Sequence, residues 1–331
     1  MAKRVLITGI RGQDGSYLAE FLLDKGYEVH GIVRRSDLDN PQQTCQNILG
    51  IIDKITLHAG SLDNYSSIQS IIEKVKPDEC YHFSAQSFVY LSPEEVSETF
   101  RLNIEGTHFL LQALMKKAPK CRFYFAGSSE MFGNARESPQ NENTVFFPRS
   151  AYGVSKLAGY HFMRALREDN GFFGCAGFCF NHESPRRGYT FVTKKITSAV
   201  GRIAAGSKEK LKLGNLDARR DWGYSPDYVR AMWLMLQQDK ADDYVVASGE
   251  THSVQDFVEE AFRVVKLDWK KYVEIDSSLL RPAEKVILCG DASKARKVLS
   301  WKPSSSFKEL VRVMVEADVK EHKSNYSERH K

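Results

Sequence analysis

Short apolar runs alternate with stretches of helical period through the first half of this chain. Arg4 to Thr8 encloses a β-branched apolar run, and Tyr17, Leu18, Phe21 and Leu22 then recur at the spacing of one helix face. The same reading places strands at Glu28 to Val33, Ile55 to His58, Glu79 to Phe83, Arg122 to Ala126 and Gly174 to Phe180, with helical patterns between them. Alternation of this kind predicts an α/β fold, a Rossmann-type doubly wound parallel sheet. After residue 180 the texture changes. A polar loop from Asn181 to Gly188 precedes a helix expected over Val192 to Ala205, then short elements, Pro282 and Pro303, and an amphipathic helix over Phe307 to Val319. The segment Lys320 to Lys331 reads as a frayed polar end. Residues 1–180 are thus expected to form a nucleotide-binding sheet domain, with segments returning to it from the second half. Residues 181–331 are expected to be mainly a smaller, interleaved α/β substrate lobe closing over a crevice. No internal repeat or low-complexity linker interrupts this pattern.

Composition narrows the function classes. The chain has 331 residues, 42% hydrophobic and 27% charged, as an ordinary globular protein does. The net charge of +5 is mild and partly terminal, and no long basic block or nucleic-acid motif is present, so nucleic acid is not an expected partner. The start Met1-Ala2-Lys3-Arg4 runs straight into a strand, and no apolar run is long enough to span a bilayer. A cytoplasmic, non-membrane protein is expected. Six cysteines are scattered; Cys175 and Cys179 lie close together but do not match a zinc pattern, so no metal site is expected.

Candidate chemistry begins at Gly9-Ile10-Arg11-Gly12-Gln13-Asp14-Gly15, between the first strand and the first helix. Gly9, Gly12 and Gly15 let the backbone turn tightly and approach a pyrophosphate, whose charge the helix N-terminus favours. The second strand ends at Arg34-Arg35, where an NAD enzyme is expected to carry an acid; two arginines suit the 2′-phosphate of NADP, or are simply exposed. Asp37 and Asp39 lie just beyond. Gly60-Ser61-Leu62, Ser84-Ala85-Gln86-Ser87 and Gly127-Ser128-Ser129-Glu130 all fall at strand carboxyl ends, where such sheets bind ligands. Tyr152 and Lys156 are four apart and share a helix face. Alone, that spacing describes a solvated helix face as well as it describes a tyrosine base whose pKa the lysine lowers.

Taken together, the glycine turn, the Ser-Ser-Glu segment and the Tyr152/Lys156 pair resemble the extended short-chain dehydrogenase/reductases. Four further stretches narrow the resemblance to the GDP-mannose 4,6-dehydratase family: Gly12 to Ala19, Phe180 to Gly188, Leu213 to Gly223, and Arg281-Pro282-Ala283-Glu284. It runs from about Arg4 to Asp318. The resemblance implies Rossmann-fold subunits in a homo-oligomer, dimer or tetramer, with NADP bound tightly, partly through a neighbour's loop near Arg35. It implies catalytic roles for Ser128, Glu130, Tyr152 and Lys156. Cofactor contacts are implied for the glycine turn with Gln13 and Asp14, and for Arg34, Arg35, Ser61, Leu62, Ala85, Gln86, Ser87, Tyr152, Lys156, His182 and Arg187. A GDP-sugar is expected to meet Ser87, Ser129, Glu130, Asn181, Lys195, Gly214, Asn215, Arg220, Arg281 and Glu284. The chain departs from the family in having Ser128 and Arg11 where threonine is usual, and Ser61 where aspartate is usual.

The expected reaction is a hydro-lyase cycle without net redox change. Tyr152 takes the proton of the sugar's 4-hydroxyl as C4 is oxidised, and Ser128 hydrogen-bonds the same oxygen. Glu130 removes the acidified C5 proton and protonates the departing 6-hydroxyl. Rival readings are a GDP-manno-heptose dehydratase, an NADP-dependent sugar epimerase or reductase, and a non-enzymatic dinucleotide sensor. Neither a simple reductase nor an epimerase has work for a carboxylate two residues beyond the hydroxyl.

Overall fold

The computed structural model describes residues 2–87, 93–280 and 286–329. Its centre is a seven-stranded sheet built from β1 (Arg4–Thr8), β2 (Glu28–Val33), β3 (Thr56–Ala59), β4 (Glu79–His82), β5 (Arg122–Ser128), β6 (Gly174–Cys179) and, after an excursion, β11 (Tyr244–Val246). The strand order is β11-β6-β5-β4-β1-β2-β3, with every neighbouring pair parallel. The expected doubly wound parallel sheet is therefore present. From β1 the chain winds outward through β2 and β3, then crosses back to place β4 on the other side of β1. That reversal opens a crevice between β1 and β4 at their carboxyl ends.

Burial on both faces explains the near-continuous apolar strands. Val5, Leu6 and Ile7 of β1, Phe123 to Phe125 of β5 and Cys175, Ala176 and Phe178 of β6 are all buried. Helices α1 (Gln13–Asp24), α4 (Tyr65–Val75), α6 (Gly106–Lys117) and α7 (Ala151–Asn170) cover the sheet, joined by the returning α9 (Ser225–Leu236) and α11 (Ser293–Leu299). An aromatic group centred on Phe178 locks the segment after β5 to the sheet. Its ring meets Phe132, Phe146 and Tyr160 edge-on at 6.0, 5.1 and 5.2 Å.

A second hydrophobic cluster lies in the other half. Ile196, Val200 and Ile203 of α8 (Val192–Ala204) pack with Leu211 and Leu213 of β8 (Leu211–Leu213). Trp222, Phe257 and Phe262 join them, with Val311, Met314 and Val315 of α12 (Phe307–Arg329). The short strands β7 (Asn181–Glu183) and β10 (Trp222–Tyr224) pair in parallel beside the main sheet. Among the described residues no helix is long and apolar enough to cross a membrane.

Several boundaries differ from the sequence reading, with a physical reason in each case. β5 runs to Ser128 because its last residues still pair with β6, Ser128 opposite Cys179. From Lys320 to Arg329 the backbone is not frayed but continues α12, and the last two residues of the expected polar end lie outside the described residues. Polar partners carry the helix past its apolar stripe. Asp318 pairs with Lys194 on α8, Glu321 accepts from the Tyr189 hydroxyl, and His322 meets Ser198 at 3.1 Å. The seventh strand, β11, was absent from the sequence reading, since three apolar residues are too short to register a period.

Replacing Phe178 with alanine is expected to destabilise the protein by about 3–5 kcal/mol, because three aromatic neighbours cannot collapse into the space. Equilibrium denaturant unfolding checks this; a loss below about 1 kcal/mol would show that the cluster repacks.

Candidate active site

The turn at the switch point can be built only from glycine. Gly9 has φ +75°, and a Cβ there would lie 2.9 Å from the Ser84 backbone nitrogen; a Cβ on Gly15 would lie 2.3 Å from the Gly9 carbonyl oxygen. The Gly12 N–H donates to the Gly9 carbonyl at 2.9 Å, and α1 starts from Gly12 with no side-chain cap. Its N-terminus thus opens into a cleft of about 870 Å³ that follows the carboxyl edge of the sheet. A dinucleotide pyrophosphate fits such a cradle, because uncapped helix amides favour an anion and no Cβ stands in its way.

Nineteen of the anticipated residues line this cleft. Gly9, Gly12, Gln13, Asp14, Gly15, Arg34, Ser61, Leu62, Ala85, Gln86 and Ser87 line one part of it. Ser128, Ser129, Glu130, Tyr152, Lys156, Asn181, His182 and Arg187 line the rest. Arg35 is exposed and does not line it. Neither do Lys195, Gly214, Asn215 and Arg220. Lys195 is half-buried on α8, and Gly214 follows β8 against the Leu279 backbone. Arg220 donates to the Arg219 carbonyl at 2.7 Å. Arg281 and Glu284 fall outside the described residues.

Asp14 and His182 face each other at the base of the glycine turn. The Asp14 carboxylate lies 2.8 Å from His182 Nε2 and accepts from the Ser225 hydroxyl at 2.8 Å and from Gln13 Nε2 at 3.1 Å. His182 Nδ1 lies 2.7 Å from the Phe180 carbonyl oxygen. Both partners of the ring only accept, so both nitrogens donate and the ring is an imidazolium. Burial pushes Asp14 up, but His182, Ser225 and Gln13 outweigh it and bring the carboxyl down to about 2. Burial likewise pushes His182 down, and Asp14 with the Phe180 carbonyl raises it above the ordinary histidine value. The Arg187 guanidinium stacks 3.5 Å from the Phe191 ring centroid and sits 3.0 Å from Glu183.

The groups expected to react gather where β5 ends and α7 begins. Ser128 closes β5 and its hydroxyl accepts from the Glu130 N–H at 3.2 Å. Ser150 caps α7, its hydroxyl accepting from Gly153 N–H at 3.0 Å and lying 3.5 Å from a Glu130 carboxylate oxygen. Gly153 matters here: a Cβ would lie 2.5 Å from the Glu130 carbonyl oxygen. Tyr152 and Lys156 then project from the first turns of α7. Lys156, 4% exposed, has its ammonium 5.9 Å from the Tyr152 ring centroid and 5.2 Å from that of Phe125.

The expected depression of the Tyr152 pKa does not occur in the protein alone. Burial dominates and pushes the phenol well above its ordinary value. A hydrogen bond from Ser128 and the Arg187 charge pull it down, while the Glu130 anion and Cys179 push it further up. Burial also brings the Lys156 pKa down, to about 8, despite Cys179 and Asp14 favouring the cation.

Sequence reasoning missed a clamp behind these groups. Asn103, 3% exposed, accepts from the Gln86 N–H at 2.8 Å and donates to the Gln86 carbonyl at 3.0 Å and to Ser155 Oγ at 2.9 Å. Ser155 in turn donates to the Tyr152 carbonyl at 2.8 Å. The loop after β4 and the first turn of α7 are thereby tied together. No spacing rule links positions so far apart.

Comparison with known proteins places this geometry in context. Residues 6–314 match the family model described as GDP-mannose 4,6 dehydratase. The chain is 50% identical to GDP-mannose 4,6 dehydratase 2 of Arabidopsis thaliana, over 96% of this chain and 87% of that protein. It is 46% identical to GDP-mannose 4,6 dehydratase of Homo sapiens, over 97% and 92%. Its fold superposes with a TM-score of 0.83, at 20% identity, on dTDP-glucose 4,6-dehydratase from Bacillus anthracis in complex with NAD, covering 96% of this chain and 97% of that one.

Lys156 makes a stability prediction. Its folded pKa of about 8 lies below the ordinary 10.5, so the folded protein binds fewer protons than the unfolded chain between those values. The penalty is full below about pH 8 and is relieved as pH rises toward 10.5. Lys156→Met should therefore stabilise the ligand-free protein by up to about 3 kcal/mol near neutral pH, with the gain fading by pH 10. Denaturant unfolding at pH 7.5 and pH 10 decides it; a variant less stable than wild type at both would contradict the burial penalty.

Proposed function

The chain belongs to the GDP-mannose 4,6-dehydratase family, and from that premise we propose that it converts GDP-mannose to GDP-4-keto-6-deoxymannose and water, as a homo-oligomer holding NADP. The observation that carries this is the meeting of Ser128, Glu130, Tyr152 and Lys156 in one cleft with the glycine turn. A carboxylate and a phenol in separate pockets could not serve one hexose ring. A bound nicotinamide would supply reversible hydride transfer at the sugar. Gly9, Gly12 and Gly15 with the N-terminus of α1 would hold its pyrophosphate. Arg34 lines the cleft at the end of β2, which supports a 2′-phosphorylated dinucleotide over NAD.

The protein's own groups divide the proton work. Tyr152 takes the proton from the 4-hydroxyl, and the Ser128 hydroxyl, already bonded to that phenol, stabilises charge on the same oxygen. Arg187 and the Ser128 bond favour the phenolate, and Lys156 adds its charge once the cleft is filled and the ammonium is held by acceptors. Glu130 removes the C5 proton next to the 4-ketone and hands it to the departing 6-hydroxyl, which leaves as water. The proton taken up by Tyr152, free to exchange with solvent, is delivered to C5, which completes the product and resets both groups. Lys195, Gly214, Asn215 and Arg220 lie outside the cleft walls and belong, in this reading, to the nucleotide end of the substrate; Arg281 and Glu284 are assigned to the same end on the sequence resemblance alone.

Incubation with GDP-mannose, followed by mass spectrometry, should show loss of one water without net consumption of NADPH. Product formed in heavy water should carry deuterium at C5, and product without it would exclude proton abstraction there. Glu130→Gln should slow water loss on the order of 10²–10⁴-fold while leaving C4 oxidation observable as a transient absorbance near 340 nm. Normal turnover in that variant would remove Glu130 from the mechanism.

A further inference from the structure

Where β2 ends, two arginines meet one carboxylate. Asp37, 6% exposed, accepts the Arg34 backbone N–H at 3.0 Å, and the same oxygen lies 3.0 Å from the Arg11 guanidinium. Arg11 sits inside the glycine turn, and its side chain reaches across to the second βα connection. It is held at three points: Nη1 donates to the Thr44 carbonyl at 2.6 Å, Nη2 faces Asp37, and its own carbonyl accepts from Asn47 Nδ2 at 3.0 Å. Arg11, Arg34, Asp37 and Asn47 all line the cleft. An arginine anchored so firmly to a carboxylate in a binding wall does more than decorate the surface.

We infer that Arg11 sets the preference for a 2′-phosphorylated dinucleotide by neutralising Asp37, an inference that rests on the NADP reading above. A bare carboxylate at the end of the second strand accepts a hydrogen bond from a ribose 2′-hydroxyl and repels a phosphate in its place. Paired with Arg11, the Asp37 oxygen is occupied and its charge cancelled. Arg11, Asp37 and Arg34 then sum to one net positive charge at this wall; without Arg11 they sum to zero. The Arg34 side chain is the group left to meet the phosphate. Arg11 is thus a positioning residue, acting through Asp37 rather than by touching the ligand.

The test is calorimetric titration of ligand-free protein with NADP and with NAD. Five proteins are compared: wild type, Arg11→Thr, Arg11→Lys, Asp37→Asn and the Arg11→Thr/Asp37→Asn double variant. Wild type is expected to bind NADP more tightly. Arg11→Thr should lower the ratio of NADP to NAD affinity by about tenfold or more, whereas Arg11→Lys keeps it within about threefold. Asp37→Asn, which retains the acceptor for the Arg34 N–H, should keep or raise the preference, and the double variant should return to the level of Asp37→Asn. Wild type that binds NAD more tightly overturns the NADP reading itself. Wild type that prefers NADP, with Arg11→Thr unchanged, overturns this inference alone. So does a double variant as impaired as Arg11→Thr, since Arg11 would then act on the phosphate directly. Should Arg11→Thr fail to fold by thermal melting, a weakened NADP preference in Asp37→Asn overturns the inference by itself.

Discussion

Asp14 and His182 meet at 2.8 Å beneath the glycine turn, and the geometry of the cleft depends on that pair. Neither charge is tolerable alone in a half-buried place; an orphaned partner costs about 3–5 kcal/mol. Together they bind three segments far apart in the chain. Asp14 lies in the first turn of α1, His182 in β7, and Ser225, which shares the carboxylate, opens α9. Arg186 adds a second attachment, donating to Ser16 and pairing with Glu20 on α1. The glycine turn and the strand that begins the second half are thus tied to each other.

A different balance governs Tyr152 and Lys156. Burial alone drives Tyr152 and Lys156 toward their neutral forms, and the Glu130 anion makes a neighbouring phenolate harder still to form. The ligand-free site therefore rests with its proton on tyrosine, while the lysine gives up its own near pH 8. Any cation brought into the cleft tips this balance toward the phenolate. A phenol held in its protonated form by burial is not available to take a proton until a cation lowers its pKa.

Much of this was legible in the residues themselves. Six of the seven main strands, the glycine turn and the Ser-Ser-Glu segment carry local signals, since turn geometry and apolar period act within a few positions. The long-range polar contacts around the cleft do not. Arg11 with Asp37 and Asn103 with Gln86 and Ser155 depend on tertiary approach, and no periodicity announces them. The helical continuation past Lys320 was hidden for a related reason. Its support comes from Ser198, Lys194 and Tyr189, which a polar composition alone cannot reveal.

The position of β11 bears on how the molecule comes into being. It pairs with the outer edge of β6, yet the whole stretch from Asn181 through α9 comes between them in the chain. A nascent polypeptide leaving the ribosome therefore carries β6 with one edge unsatisfied until Tyr244 to Val246 emerge. Unpaired edges of buried, apolar strands recruit other chains. A cell making this protein has to shield that edge throughout synthesis of the intervening segment, and a piece ending near residue 180 would keep it open for good.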